Sequence, residues 1–452
     1  MLRHDSIPPR CWQLALRRIF KAQDFYGSIR PMIGLALVLG ITPYFVCRDG
    51  CQGERVVRES WYGFANAISR WLLIAYCYMY TLRQKESLIG YFMHNHISQM
   101  SARMHDVTGI VAGIVILILP LFLRRHLRNA LEKLMRVDRL LHHLSFPIDY
   151  RQVLYQILLV LLLVSTLDAT IIIVCLVCLS NMEVQPTYQL IFSMMYELII
   201  ISITICMFCL LAGSIQRRFK KLHKVLKNLA HQWDTRSIKA VQKQRSLQCL
   251  DSFSMYTIVT KDPAEIIQES MEIHQLICEA AATANKYFTY QLLTIISIAF
   301  LIIVFDAYYV LETLLGKSKR ESKFKTVEFV TFFSCQMILY LIAIVSIVEG
   351  SNRAIKKSEK TGAIVHSLLN KTKSAEVREK LQQFSMQLMH LKINFTAAGL
   401  FNIDRTLYFT ISGALTTYLI ILLQFTSNSP SSENGSGFDC CEAYHNMTNH
   451  TV

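Results

Sequence analysis

The nine residues TYLIILLQF, from Thr417 to Phe425, end the last apolar run of the chain. The run begins at Thr406 and holds twenty residues without a formal charge, which is long enough to cross a bilayer as an α-helix. Its small and polar residues recur at steps of four, three, four and seven and share one helical face, which holds Thr406, Thr410, Gly413, Thr417 and Gln424. Hydroxyl and amide groups are unfavourable in hydrocarbon, so we expect this polar stripe to face protein or water.

The composition of the chain is that of a membrane protein. Hydrophobic residues make up 52% of the 452 residues and the mean hydropathy is +0.32, against about 45–50% hydrophobic residues in soluble proteins. The net charge of +15 would also suit a nucleic-acid-binding protein, but the basic residues cluster beside the apolar runs. We therefore expect membrane lipid as a partner and no nucleic acid. The thirteen cysteines, an odd number, do not indicate a disulfide framework.

Seven apolar stretches are long enough to span a bilayer, which predicts an all-α polytopic membrane protein. We place the spans at residues 62–81, 105–123, 153–179, 188–213, 288–313, 327–349 and 405–425. An eighth stretch, Pro31 to Cys47, is interrupted by glycine and proline and has too few apolar residues to cross. We expect residues 31–47 to form a re-entrant or interfacial segment.

Charge predicts the orientation of the spans. Dense basic clusters follow the second and the fourth span, and a count of seven spans puts both clusters on one side, which we take as the cytosol. These clusters hold Arg124, Arg125, Arg128, Lys133, Arg136, Arg139, Arg217, Arg218, Lys220, Lys221, Lys224 and Lys227. The N-terminus is then cytosolic and the C-terminal tail is extracellular, and this tail carries glycosylation sequons at Asn434, Asn446 and Asn449.

Two observations oppose this orientation. Sequons at Asn370 and Asn394 would lie in the cytosol, and the segment 316–326, on the predicted outer side, is basic. We base the predicted orientation on the basic clusters after the second and fourth spans, which are longer and denser. The expected organisation is a cytosolic N-tail (1–30), the short apolar segment (31–47), spans one to four (62–213), a cytosolic loop with helices (214–287), spans five and six (288–349), cytosolic helices (350–404), span seven (405–425) and an extracellular glycosylated tail (426–452).

Three of the cytosolic segments have narrow apolar seams at helical spacing. One runs from Ile215 to Leu229, a second from Ile266 to Ala281 and a third from Val377 to Leu391. Such seams suit helices that pack on one another, so we expect the fourth, fifth and sixth spans to continue into the cytosol and form a packed anchor. The basic helix 215–229 alternatively suits binding of calmodulin or of acidic lipid.

Several polar residues lie within the predicted spans, where charge is costly and needs a partner. They suit either hydrogen bonds between helices or a ligand pocket in the region 62–213 and the spans that pack on it. The candidate pocket residues are Asp168, Tyr196, Glu197, Gln336 and Tyr340, with Trp71, Tyr76 and Asp306 as further polar or aromatic residues of the spans.

No catalytic motif is recognisable, so we expect neither an enzyme nor a cofactor. The sequence has no nucleotide-binding loop, no HExxH zinc motif and no nucleophile–base set. His94 and His96 could bind a metal, but their place in a short loop favours solvated side chains, and we expect no metal site.

The opening stretch also carries a family resemblance. A Thr-Tyr pair, five aliphatic residues and a Gln-Phe pair form the TYhhhhhQF signature that ends the last span of insect gustatory receptors. The resemblance extends to GLF at 399–401, DRTL at 404–407 and LGITPY at 39–44, and it covers essentially the whole chain. The chain resembles most the branch that is specific for neither sugars nor carbon dioxide.

The resemblance implies a ligand-gated, non-selective cation channel in the plasma membrane of sensory neurons, assembled as a homo- or hetero-tetramer. The last span of each subunit would line the pore, with Thr417, Ile421, Gln424 and Phe425 as pore or gate residues. The outer halves of the second, third, fourth and sixth spans would enclose a pocket for a small-molecule tastant, and the cytosolic helix ends would form a shared anchor. Stimuli in the family also include temperature and light.

Three alternatives stay open. Close helix packing would explain the polar stripe without a pore, because glycine and threonine let helices approach and bond across. A G-protein-coupled receptor also has seven spans, but the charge pattern puts the N-terminus of this chain inside. A transporter would be favoured by inverted internal repeats, which the sequence does not show.

Overall fold

Long helices carry almost all of the regular structure in the computed structural model, which describes residues 24–48, 55–84, 96–181, 185–239, 262–315 and 323–428. In chain order the elements are α1 (Phe25–Val38), β1 (Tyr44–Arg48), β2 (Arg55–Glu59), α2 (Trp61–Gln84), α3 (His96–Gly113), a π-helical turn (Ile114–Ile118), α4 (Leu119–His143), α5 (Tyr150–Asn181), α6 (Tyr188–Lys239), α7 (Pro263–Leu314), α8 (Lys323–Lys371), α9 (Ala375–His390), β3 (Thr396–Ala397), β4 (Phe401–Asn402) and α10 (Thr406–Asn428). The predicted all-α class is confirmed.

Six helical stretches of the described ranges are long and apolar enough to cross a membrane: Gln99–His143, Tyr150–Asn181, Tyr188–Gln232, Pro263–Leu314, Val327–Lys371 and Thr406–Gln424. Helix α2 corresponds to the first predicted span. Its 24 residues are enough to cross, but Arg70 and seven aromatic residues make it less apolar than the other six. It packs against α3 and α6 within the bundle.

Helices α6, α7 and α8 contain 52, 52 and 49 residues. A helix of about 50 residues is about 75 Å long, more than twice the about 30 Å of hydrocarbon in a bilayer, so these helices extend well beyond the predicted spans. Their ends beyond the predicted spans pack with α9 into a bundle that we call the helical base. The predicted apolar seams lie inside it, because Phe219, Ile273 and Phe384 are fully buried.

The segment after the second span was expected only as a basic cytosolic segment, but it continues as helix α4 and packs along α7. Its Asp138 accepts a hydrogen bond of 2.7 Å from Nη2 of Arg218, whose side chain is 2% exposed. The pKa of Asp138 is raised, because the effect of burial exceeds the opposite effects of the adjacent guanidinium and the Tyr150 hydroxyl. Arg218, counted above as a topology signal, therefore also joins α4 to α6.

Helix α1 and the first hairpin connect the basic side of the bundle to its interior. The ring of Phe25 lies 4.8 Å from the guanidinium carbon of Arg218. At the other end of α1, the carbonyl of Leu39 accepts a hydrogen bond of 2.6 Å from the Tyr196 hydroxyl. The chain then returns through β1, where the Tyr44 hydroxyl donates to the carbonyl of Arg124 over 2.7 Å. The re-entrant or interfacial nature of residues 31–47 stays a prediction.

A tight antiparallel hairpin, β3–β4, leads into α10. Its turn places Ala398 and Gly399 at φ values of 51° and 75°, in the left-handed region that favours glycine. Helix α7 holds this turn, because the Thr289 hydroxyl accepts a hydrogen bond of 2.7 Å from the Ala398 amide. Asn285, one turn earlier on α7, bonds to both the amide and the hydroxyl of Thr396. The start of α10 is therefore fixed to α7.

Candidate functional site

Helix α10 is the least covered of the long apolar helices, with 6% of its apolar window buried. One side packs on the rest of the chain through Leu407, Tyr408, Ile411 and Leu415. The polar stripe lies on the opposite side. Thr410, Gly413, Thr417 and Gln424 are all exposed in the single chain, as are Phe409, Ser412 and Thr416 beside them.

The hydroxyl groups of this exposed face bond to their own helix. Thr417 donates to the Gly413 carbonyl over 2.9 Å, and Thr416 donates to the Ser412 carbonyl over 3.0 Å. A methyl group added at Gly413 would meet no atom within 4 Å. This face of α10 thus carries hydroxyl oxygens, and no other part of the described chain covers it.

The four predicted pore or gate residues all lie on α10. Thr417, Ile421 and Gln424 have exposed side chains, and Ile421 is 39% exposed. Phe425 lies in the helix, and its side chain is outside the described set. The predicted glycosylation sites Asn434, Asn446 and Asn449 lie outside the described residues as well.

Two contacts tie α10 to the helices behind it. Near its start, Arg405 forms a two-pronged ion pair with Glu349 of α8, with distances of 2.8 and 3.1 Å. Higher up, the ring of Tyr418 meets the ring of Phe300 of α7 edge to face, with centroids 5.9 Å apart. Both partners lie on helices that also line the cavities described next.

Two small cavities, of about 50 and 60 Å³, lie between α3, α5, α6, α7 and α8 in the half of the bundle remote from the basic segments. They share four lining residues, namely His105, Met194, Phe332 and Gln336. Most of the remaining wall is apolar, with Phe305 and Phe333 in one cavity and Leu339 and Tyr340 in the other. The fifth predicted span, which the family resemblance did not place in the pocket, contributes to the wall through α7.

Acidic groups converge on these cavities from three helices. Asp106 of α3 and Asp306 of α7 line the first cavity, and Glu197 of α6 lines the second. His105 interacts electrostatically with both Asp106 and Glu197. The hydroxyl of Tyr78, on α2, donates to Oε2 of Glu197. The arrangement offers acceptor oxygens in an apolar enclosure.

The structure thus brings together three of the five residues predicted for the pocket, Glu197, Gln336 and Tyr340, and leaves two elsewhere. Asp168 accepts a hydrogen bond of 2.9 Å from the Ser202 hydroxyl and lines neither cavity. The Tyr196 hydroxyl donates to the Leu39 carbonyl at the end of α1. These two side chains suit the alternative of hydrogen bonds between helices.

Sequence reasoning missed His105, Asp106 and Tyr78. The predicted second span began at residue 105, so His105 and Asp106 were its first two residues. Helix α3 begins at His96, nine residues earlier, so both lie within the bundle. Two adjacent ionisable residues at the start of an apolar run are the signal that could have identified them.

Comparisons with known proteins agree with this fold. The model of the 7tm chemosensory receptor family matches residues 29–429 of the chain. That match spans most of its length and includes the helices, both cavities and α10. The chain belongs to the 7tm chemosensory receptor family.

The relatives within this family are gustatory receptors, which confirms the resemblance seen in the sequence. Gustatory receptor 28b of Drosophila melanogaster is 60% identical over 96% of this chain and 93% of its own length. Gustatory receptor 28a of the same species is 33% identical over 90% and 93% of the two chains. Members of this chemosensory receptor family are multi-pass membrane receptors rather than enzymes.

A solved chemosensory receptor has the same fold. The structure of the insect olfactory receptor OR5 from Machilis hrabei in complex with eugenol superposes with a TM-score of 0.58. The superposition covers 87% of this chain and 97% of that receptor at 14% sequence identity. The likeness confirms the architecture of the 7tm chemosensory receptors for this chain.

Proposed function

We propose that the protein is a ligand-gated, non-selective cation channel that detects small-molecule taste stimuli at the plasma membrane of sensory neurons. The exposed polar face of α10 carries the proposal. A helix in lipid gains nothing from exposing threonines, a glycine and a glutamine, so that face needs water or protein against it. One helix cannot enclose water, and several copies arranged around an axis can.

The number of copies we propose, four, follows the gustatory receptors that the signature resembles, and related subunits can replace identical ones. In this arrangement Thr417 and Gln424 face the conduction path. Ile421 and Phe425 form the narrow apolar ring that closes the pore by excluding water. The helical base supplies contacts between subunits on the basic side.

Ligand binding would open the pore by shifting a population between closed and open states. A ligand shifts this equilibrium only if it binds the open state more tightly. Helix α7 offers the physical connection, since Leu301 lines the first cavity and also the crevice between α7 and α10. The bound eugenol of the olfactory receptor supports a small organic ligand for a fold of this kind.

Whole-cell recording from cells that express the chain alone, with a panel of tastants and a temperature ramp, tests this function. We expect an agonist current that persists when G-protein signalling is blocked. Gln424→Glu should raise the permeability of divalent relative to monovalent cations, because a ring of carboxylates attracts divalent cations. Phe425→Ala should raise the current without agonist.

Phe409→Ala is the matched control, because Phe409 is exposed on α10 but lies beside the proposed stripe. We expect it to leave ion selectivity unchanged. Wild-type permeability ratios and wild-type basal current in the Gln424 and Phe425 variants at normal surface expression would exclude α10 as the pore helix. A response that depends on G-protein signalling would identify a coupled receptor instead.

A further inference from the structure

Two carboxyl groups at the cavities each have one oxygen that accepts no hydrogen bond from the described residues. Glu197 and Asp306 are 4% and 3% exposed. Among the residues that the structure describes, Oε1 of Glu197 and Oδ2 of Asp306 have no hydrogen-bond partner. A buried acceptor without a partner costs about 1–3 kcal/mol, and more when the group is charged. A bound molecule that donates hydrogen bonds would remove this cost.

The described walls of the two cavities provide no permanently charged cation for these carboxyl groups. The described walls of both cavities contain neither lysine nor arginine, and His105 is the basic residue among them. In the described part of the chain no group of three or more His, Cys, Asp or Glu side chains is arranged to hold a metal ion. The missing partner is therefore more consistent with an organic donor than with a bound metal.

The rest of the wall indicates what else that donor carries. The walls are mainly apolar, and Phe305, Phe332 and Tyr340 line them together with the carboxyl groups. Aromatic faces attract cations as well as apolar groups. A polyol would leave most of its hydroxyl groups against apolar side chains, where each unmade hydrogen bond is unfavourable.

We propose that these cavities bind a ligand with a protonated amine on an apolar body, the ammonium group lying between Glu197 and Asp306. This inference names the ligand class of the chemoreceptor function proposed above and rests on it. Two N–H donors satisfy the two free oxygens, and the positive charge offsets the acidic cluster. Met194, shared by both cavities, has the flexible side chain needed to join them around an aromatic ring.

Matched pairs of amines and amides test the inference. The probes are 2-phenylethylamine, tryptamine and benzylamine, each with its N-acetyl derivative, which keeps the ring and removes the charge. Binding to the full-length protein in lipid nanodiscs is measured by calorimetry, and current is recorded separately. We expect at least one amine to bind ten-fold or more tightly than its amide.

Substitutions locate the effect. Glu197→Gln and Asp306→Asn should each reduce the preference for amine over amide at least five-fold. Glu197→Asp keeps the charge and should retain most of the preference. Asp168→Asn is the matched control, because Asp168 is an equally buried carboxyl group of a span but does not itself line either cavity, and we expect the preference to stay unchanged.

The outcomes separate this inference from the channel proposal. Amides that bind as tightly as amines, no binding by any of the three amines, or a preference that survives both neutralising substitutions in folded protein would overturn it. Current evoked by neutral tastants alone would overturn it too and leave the channel intact. Selective amine binding without current under any stimulus would support the amine site and contradict the channel.

Discussion

Arg405 and Glu349 form the best-defined single contact between the proposed pore helix and the rest of the chain. The guanidinium group spans both carboxylate oxygens, a geometry that lysine cannot reproduce. Both side chains meet water, so we expect the pair to orient α10 more than to stabilise the fold.

At this residue scale we predict that Arg405→Ala changes gating and not permeation. Loss of the link should shift the agonist concentration for half-maximal current several-fold and leave permeability ratios unchanged. Arg405→Lys should give an intermediate shift. The charge exchange Arg405→Glu with Glu349→Arg should restore sensitivity in part. Recordings at matched surface expression decide the matter.

The control for this prediction is Arg353→Ala. Arg353 lies 3.9 Å from Glu349, one turn away on the same helix. The Arg353→Ala substitution also removes a positive charge next to the Glu349 carboxylate. If Arg353→Ala shifts the agonist response as much as Arg405→Ala does, the effect comes from local charge and not from the link to α10.

At the scale of elements, α7 lies between the cavities and the proposed pore helix. Asp306 and Phe305 of α7 face the first cavity, and Phe300 contacts Tyr418 of α10. Tyr418 belongs to the TYLIILLQF signature, so the structure assigns this signature residue a packing role beside the exposed stripe. An aromatic pair of this kind contributes about 0.5–1.5 kcal/mol beyond its buried area.

We predict that Phe300→Ala weakens coupling between ligand and pore. A coupling loss of about 1 kcal/mol corresponds to about a five-fold change in equilibrium, so agonist sensitivity should change by about that factor. Binding of the same agonist in nanodiscs should change less. Tyr418→Ala should match Phe300→Ala, and the double variant should be no worse than either single one. Additive effects of the two substitutions would show that the rings act independently.

At the scale of the whole molecule, the helical base joins helices that are far apart in sequence around two buried histidines. Nε2 of His223, on α6, lies 2.9 Å from the Thr361 hydroxyl of α8. His274, on α7, lies between the rings of Phe219 and Phe384 and meets both edge to face. Burial lowers the pKa of both histidines to about 4, with Lys357, Lys360 and Lys227 adding to the effect at His223.

These shifts predict that acid destabilises the protein. Between a pKa of about 6.5 in the unfolded chain and about 4 in the folded one, the unfolded state binds more protons. The neutral histidines should therefore not lower the free energy of unfolding above pH 6.5, and this free energy should fall as the pH drops toward 4. Each histidine contributes up to about 1.4 kcal/mol per pH unit in this window. Thermal unfolding of the purified protein from pH 7.5 to 5 measures the trend.

His274→Phe should flatten this dependence, because phenylalanine suits an aromatic site and does not titrate. The control is His390→Phe, which removes an exposed histidine from α9 of the same base. An equal loss of stability on acidification in His274→Phe and in the wild type would exclude His274 as a source of the acid sensitivity.

Much of this organisation follows from local sequence pattern. The apolar spans, the seams of the helical base and the polar stripe of α10 each depend on the spacing of residues within one helix, which sequence states directly. The stripe from Thr406 to Gln424 was predicted to face protein or water. In the structure it lies on the side of α10 that the rest of the chain does not cover. The TYLIILLQF signature indicated the family for the same reason, as it is one short continuous segment.

Only the tertiary structure decided which polar residues share a cavity. Helix α5 is apolar on nearly all sides, so its sequence does not reveal which way Asp168 turns, and Asp168 bonds to Ser202 rather than joining Glu197. The contact between Tyr78 and Glu197 joins residues 119 positions apart, and the pair of Asp138 and Arg218 joins residues 80 apart. Such contacts depend on how each helix is rotated and packed. Rotation is set by neighbouring helices, and a single helix does not encode it.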